Sequence, residues 1–199
     1  MDLQLRDSVC LVTGSTQGIG FETGRILRDE GAVVVTTGRN GGDVPADLAR
    51  AGEPERVVRE TIERHGRLDV LVNNVGGTEI RKLEELTDAD WQASFEINLM
   101  SAVRATRAAL EHMRPRGAGT IVNVSSTAGK RPSTGMPEYS VMKAAMLSFS
   151  RLVADLYAKD GIRCNAVTPG PTATQAWIGD GGLAEIGRAS CRERVCPHV

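Results

Sequence analysis

Aromatic side chains are scarce, at 4% of 199 residues, and neither sign of charge prevails. Lys plus Arg number 24 and Asp plus Glu 25, a formal net charge of -1. That balance removes the electrostatic case for a nucleic acid or an anionic membrane surface as partner. No apolar run approaches the roughly 18 residues of a membrane-spanning helix. Met1-Asp2-Leu3-Gln4 lacks the charge and apolar core of a signal peptide, so the cytoplasm is the expected location. Four cysteines are too few and too scattered for a disulfide framework. Cys191, Cys196 and His198 have no fourth ligand, and no metal site is expected. What is abundant is apolar, 41% against 25% charged, which describes one globular domain.

Short β-branched runs alternate with helix-length amphipathic stretches. Val9–Val12, Val33–Thr37, Val70–Val72, Ile121–Val124 and Ile162–Val167 read as strands covered on both faces. Helices are predicted near 18–30, 53–65, 88–114 and 138–159, with Thr87 and Asp90 as a capping box opening the third and Pro137 in the first turn of the fourth. A stunted third strand is expected around Val44 to Asp47. The alternation predicts an α/β fold, a doubly wound parallel sheet of Rossmann type with right-handed crossovers. Trp91 and Phe95, four apart, read as a buried stripe, and Cys10 and Cys164 as small core residues. His65 and His112 fall near the ends of predicted helices, where imidazoles serve dipole or surface chemistry.

Thr13-Gly14-Ser15-Thr16-Gln17-Gly18-Ile19-Gly20 directly follows the first strand and opens a helix. Glycines there permit a tight turn and close approach of a pyrophosphate, while the helix start offers unpaired N–H groups. About 20 residues beyond such a loop lies the group that reads the adenine ribose. That position holds Arg39, not a carboxylate. A guanidinium engages a 2′-phosphate with paired hydrogen bonds, whereas a carboxylate repels it. NADP(H) is therefore the expected cofactor, with NAD(H) the alternative.

Tyr139 and Lys143 are four residues apart, on one helical face. A phenol is a poor acid–base group at neutral pH, and a neighbouring ammonium stabilises its phenolate and makes proton exchange practicable. Ser125 and Ser126 end a strand, where sites in open α/β sheets lie, and a hydroxyl there can polarise a substrate oxygen. Alternation says only that these two serines face opposite ways.

The G-x-x-x-G-x-G spacing, Asn73-Asn74-Val75-Gly76, Tyr139-Ser-Val-Met-Lys143 and Pro169-Gly170 together resemble the short-chain dehydrogenase/reductase family, from about Leu5 to about Leu183. The members it most resembles are 3-oxoacyl-carrier-protein reductases or uncharacterised relatives. It implies a catalytic set of Asn98, Ser126, Tyr139 and Lys143. It selects Ser126, thirteen residues before the tyrosine, over Ser125. Tyr139 would exchange the proton, Ser126 polarise the oxygen, Lys143 tune Tyr139 and hold the nicotinamide ribose, and Asn98 hold a relay water. The glycine loop, Arg39, Asp47, Leu48, Asn74, Val75, Gly76, Val167, Pro169, Gly170 and Thr172 would line the cofactor. The implied activity is hydride transfer between NADP(H) and a small-molecule carbonyl/alcohol pair. The rival readings are an NADPH sensor without turnover and an inactive fragment. A homodimer or homotetramer built partly on the helices 88–114 and 138–159 is also implied.

After Leu183 the patterning stops. Residues 185–195 back-translate, in register, into a common sequencing adapter. The expectation is one domain over 1–184, a non-native tail over 185–199, and a chain that lacks the family's last helix and strand.

Overall fold

Strand formation follows the apolar runs. β1 (Val9–Thr13), β2 (Val33–Gly38), β4 (Val70–Asn73), β5 (Gly119–Val124) and β6 (Ile162–Val167) lie parallel, and a two-residue β3 (Gly41–Gly42) pairs antiparallel with β2. These belong to a computed structural model that describes residues 3–172. The six-stranded sheet has the order β3-β2-β1-β4-β5-β6. Strand order therefore reverses between β1 and β4, and the crevice at their carboxyl ends is where doubly wound sheets take ligands.

Helices cover both faces. α1 (Gly18–Asp29) packs on the face carrying Cys10, Val12, Val34 and Val72, through Leu27. α2 (Glu53–His65), α4 (Ser101–Met113) and α5 (Pro137–Tyr157) bury the other face, where Leu11, Val35, Leu71 and Ile121 meet Val57, Ala109, Met113 and Val153. α2 has Pro54 in its first turn, acids at Glu53 and Glu55, basic Arg64 and His65 in its last, and stops at Gly66 with φ 73°.

Two expectations need correction. The third strand is not at Val44–Asp47 but at Gly41–Gly42, where the chain turns back tightly through Arg39 and Asn40. Val44 and Ala46 still donate to Thr36 O (3.1 Å) and Gly38 O (3.1 Å), but Pro45 between them has no N–H to extend a ladder. Nor is 88–114 one helix. α3 (Asp88–Phe95), opened by the expected Thr87–Asp90 capping box, passes into a five-residue π-helical segment, Glu96–Met100, before α4. The wider turn seats Asn98 in the interior, 0% exposed, an irregularity that apolar periodicity does not encode.

Among the described residues β6 is the edge strand opposite β3, with Val167 exposed. The expectations for a further helix and strand, for Cys191, Cys196 and His198, and for the 185–199 tail lie outside the described residues.

Candidate active site

The first wall is the turn from β1 into α1. A Cβ on Gly20 would fall 2.4 Å from both Asn74 Nδ2 and Gly14 O, and Gly14 itself has φ 61°. Only glycine lets the loop fold this closely. Asn74 Nδ2 donates to Thr13 O (3.0 Å) and Gly14 O (2.9 Å), so its amide braces the glycine loop from behind. Thr13 Oγ1 in turn accepts from Asn74 N (2.9 Å) and Val75 N (3.2 Å), a role that the sequence alone did not suggest. Ser15 is buried, donating to Val12 O at 2.6 Å and accepting from Thr37 N at 3.0 Å. Its side chain holds the loop to β2, while Thr16 and Gln17 stand exposed and no side chain caps α1.

Arg39 follows β2 directly and is exposed, making no ion pair or hydrogen bond among the described residues. Gly38 packs so closely on Thr16 that a Cβ would lie 2.7 Å from its side chain, which brings Arg39 beside the glycine loop. Asp47 accepts from Ala49 N (3.2 Å) and pairs with Arg50, and Leu48 is buried in the core.

The second wall joins β5 to α5. Ser125 is buried and donates to Lys143 O at 2.7 Å, whereas Ser126 is half-buried, accepts from Ala128 N at 3.1 Å, and has its hydroxyl near the Tyr139 phenol. The two serines face opposite ways, and the structure puts Ser126 on the tyrosine's side. Burial raises the Tyr139 phenol above its ordinary value, and the Ser126 hydroxyl opposes that rise.

Lys143 is 2% exposed, with Nζ 2.8 Å from Val124 O and 5.5 Å from the centre of the Tyr139 ring. Burial lowers its ammonium from 10.5 to about 8. The unfolded chain then holds this proton where the folded chain does not, so this group's contribution to stability rises with pH across that window. Below about pH 8 the full burial penalty, about 3 kcal/mol, is present. Lys143→Met should therefore melt higher than the parent at pH 7, less about 1 kcal/mol for the Val124 bond, with the difference shrinking towards pH 10. Thermal melts of both proteins at the two pH values check this.

Asn98 lies between the walls. Its Oδ1 accepts from Gly77 N (3.0 Å), and Nδ2 donates to Gly77 O (2.9 Å) and Ser94 Oγ (3.1 Å). The side chain braces the loop after β4. Gly76 fits against both groups: a Cβ there would be 2.9 Å from Asn98 Oδ1 and 3.1 Å from Lys143 Nζ. Pro169 O accepts from Thr127 N (3.0 Å) and Thr172 Oγ1 donates to Gly170 O (2.9 Å), so the last turn is fastened beside Ser126.

Some features were not legible beforehand. Asn73, Thr106, Asn123 and Ser150 form a buried chain of hydrogen bonds that ties β4 and β5 to α4 and α5. Glu138, beside Tyr139, is buried too. Trp91 and Phe95 are half-exposed rather than buried, lining with Met142 a shallow depression of about 420 Å³. Cys10 and Cys164 are buried as expected, their thiols pushed up to about 12 and about 11. No cluster of metal-binding side chains occurs among the described residues.

The family model described as short chain dehydrogenase matches residues 8–180. The chain belongs to the short-chain dehydrogenase family. An uncharacterised oxidoreductase of Bacillus subtilis, YvrD, is 37% identical over 191 residues, covering 88% of this chain and 72% of the relative. A 3-oxoacyl-[acyl-carrier-protein] reductase of Synechocystis is 35% identical, covering 85% and 76%. The crystal structure of an NADH-dependent reductase responsible for alginate metabolism superposes with a TM-score of 0.80 at 28% identity, covering 84% of this chain and 78% of that one. As a short-chain dehydrogenase the chain is an oxidoreductase of a family that binds NAD(P).

Proposed function

We propose that this short-chain dehydrogenase transfers a hydride between NADP(H) and a small-molecule carbonyl/secondary-alcohol pair, with Tyr139 as general acid and base. The observation that carries the reading is Tyr139 set between the Ser126 hydroxyl and the buried Lys143 ammonium at the carboxyl edge of the sheet. The cradle fits a dinucleotide, because Gly14, Gly20 and Gly76 have no side chain and so let the backbone fold closely onto Asn74, Asn98 and Lys143, the tight turn that a pyrophosphate needs. Gly14–Gly20 would take the pyrophosphate on the start of α1, Arg39 the 2′-phosphate, Asp47 and Leu48 the adenine through their backbone, and Asn74–Gly76 with Pro169–Thr172 the nicotinamide half. When bound, the cofactor supplies or takes up the hydride.

In the reducing direction Tyr139 gives its proton to the substrate oxygen, which Ser126 polarises by donating a hydrogen bond. Lys143 stabilises the phenolate left behind. Asn98, seated at the π-helical turn, would hold the water that reloads Tyr139. Support for NADP(H) rests on Arg39, since the alginate-related structure is described as NADH-dependent. NADPH oxidation with a ketone panel tests the whole reading, and binding without turnover would favour a sensor instead.

Among the described residues no helix is long and apolar enough to cross a membrane. We place the enzyme in the cytoplasm and assign it a second copy of itself as partner. Val141, Leu152 and Leu156 line the outer side of α5 and are each about half exposed. Leu152→Glu should shift sedimentation towards monomer, and an unchanged oligomer would clear this face of the role.

A further inference from the structure

Tyr139 is only as useful as its placement, and the start of α5 lacks ordinary means of fixing it. The N-cap, Met136, offers no side-chain hydrogen bond, and Pro137 follows. Ser140 Oγ donates to Met136 O (2.7 Å) and accepts from Ser133 N (3.1 Å), which ties the helix start to its own lead-in and to nothing across the site. Glu138 is different. It is 6% exposed, where the acids Asp88 and Asp90 that open α3 are more open to water. Its Oε1 accepts from Thr78 Oγ1 at 3.2 Å, a hydroxyl that also lies 3.1 Å from Glu79 O, and its Oε2 is buried without a protein partner. Burying a carboxyl group with one oxygen unsatisfied is unfavourable for stability, so it calls for a reason beyond helix initiation.

The reason lies across the hydrogen bond. Thr78 follows Gly77, whose N–H and C=O are both held by Asn98. Farther along the same segment Arg81 N donates to Gly135 O at 3.0 Å, just ahead of α5. The Gly76–Arg81 loop is thus fastened to the π-helical segment on one side and to the start of α5 on the other. We propose that Glu138 is a positioning residue: held by Thr78, it fixes the height of Tyr139 against the Gly76–Thr78 loop. The inference rests on the reading of Tyr139 as acid and base. A misplacement of about 1 Å at a reacting group can cost about a hundredfold in rate, so a clamp of this kind is worth its unfavourable burial.

Thr78→Val removes the hydroxyl without changing charge or size, and Thr78→Ser restores it. With NADPH and ethyl acetoacetate, Thr78→Val should lower kcat about tenfold with KM changed less than twofold, and Thr78→Ser should behave as the parent. Glu138→Ala combined with Thr78→Val should lose no more than Glu138→Ala alone, because one interaction is removed in each. The chain has two tyrosines, so a ¹³Cζ-tyrosine titration of the full protein, assigned with Tyr139→Phe, reports the phenol even without turnover. Loosening the loop admits water, so Tyr139 should titrate closer to its ordinary value in Thr78→Val, with Tyr157 unmoved. Parental kcat together with an unshifted Tyr139 titration in Thr78→Val would overturn the proposal. Full turnover by Tyr139→Phe would instead overturn the acid–base reading, while the titration would still decide whether Thr78 holds the phenol in place.

Discussion

Tyr139→Phe should abolish almost all carbonyl reduction while leaving NADPH binding and the melting temperature close to those of the parent. On the proposed reading the phenol gives its proton to the substrate oxygen and is supported as an anion by Lys143, whose Nζ lies 5.5 Å from its ring centre, with the Ser126 hydroxyl near its oxygen. General acid–base catalysis contributes about 10²–10⁴ in rate, and kcat should fall by that much. The phenylalanine ring keeps the packing, and loss of a hydroxyl whose own burial is unfavourable leaves folding little changed. The pH profile carries a second check. Burial lifts the phenol above its ordinary value and lowers Lys143 to about 8, so the protonated tyrosine needed for reduction persists across neutral pH. Reduction should therefore hold steady through neutrality and fall at alkaline pH, while the oxidising direction, which needs phenolate, gains as pH rises. Steady-state rates in both directions between pH 6 and about 10 test this sign. Equal turnover by the parent and Tyr139→Phe would remove Tyr139 from its role.

Arg39→Asp should reverse the order of affinity for the two cofactors. Arg39 follows Gly38, which packs on Thr16, and its exposed side chain makes no ion pair or hydrogen bond among the described residues, so it is available to an incoming phosphate. Replacing it removes a charge-assisted, two-bond contact and sets a carboxylate where the 2′-phosphate would sit. NADPH affinity should fall about a hundredfold, more at low ionic strength than at high, because an exposed pair is screened by salt. NADH affinity should change little or improve, since aspartate can accept from the ribose 2′-hydroxyl. Fluorescence titrations of both cofactors at two salt concentrations measure the ratio. An unchanged ratio would sink the assignment of Arg39.

Local chemistry determined much of this protein without reference to the fold. β-branched runs marked the inner strands because strands covered on both faces must be apolar throughout. The Thr87–Asp90 box and Pro137 placed two helix starts, since capping is a matter of three or four residues. The glycine spacing and Tyr139-x-x-x-Lys143 pointed to nucleotide binding and proton transfer because each requirement lies within one turn or loop. What only the tertiary structure decided involves groups far apart in sequence. The π-helical turn at Glu96–Met100 exists in the company of Gly77, about twenty residues away, and no periodicity in its own segment announces it. The side chains of Ser15 and Leu48 hold the loop and fill the core, because Thr37 and the α2 packing claim them, which leaves only their backbone to a cofactor. Ser125 and Ser126 could not be told apart by strand alternation until Lys143 O and Tyr139 stood on opposite sides of them. Glu138 carries no signal of its own in the sequence, and its place shows only where Thr78, 60 residues earlier, meets it inside the protein. Spacing along one element is written into the sequence, whereas which buried polar group meets which is settled only when separate elements pack and each must find a partner out of reach of water.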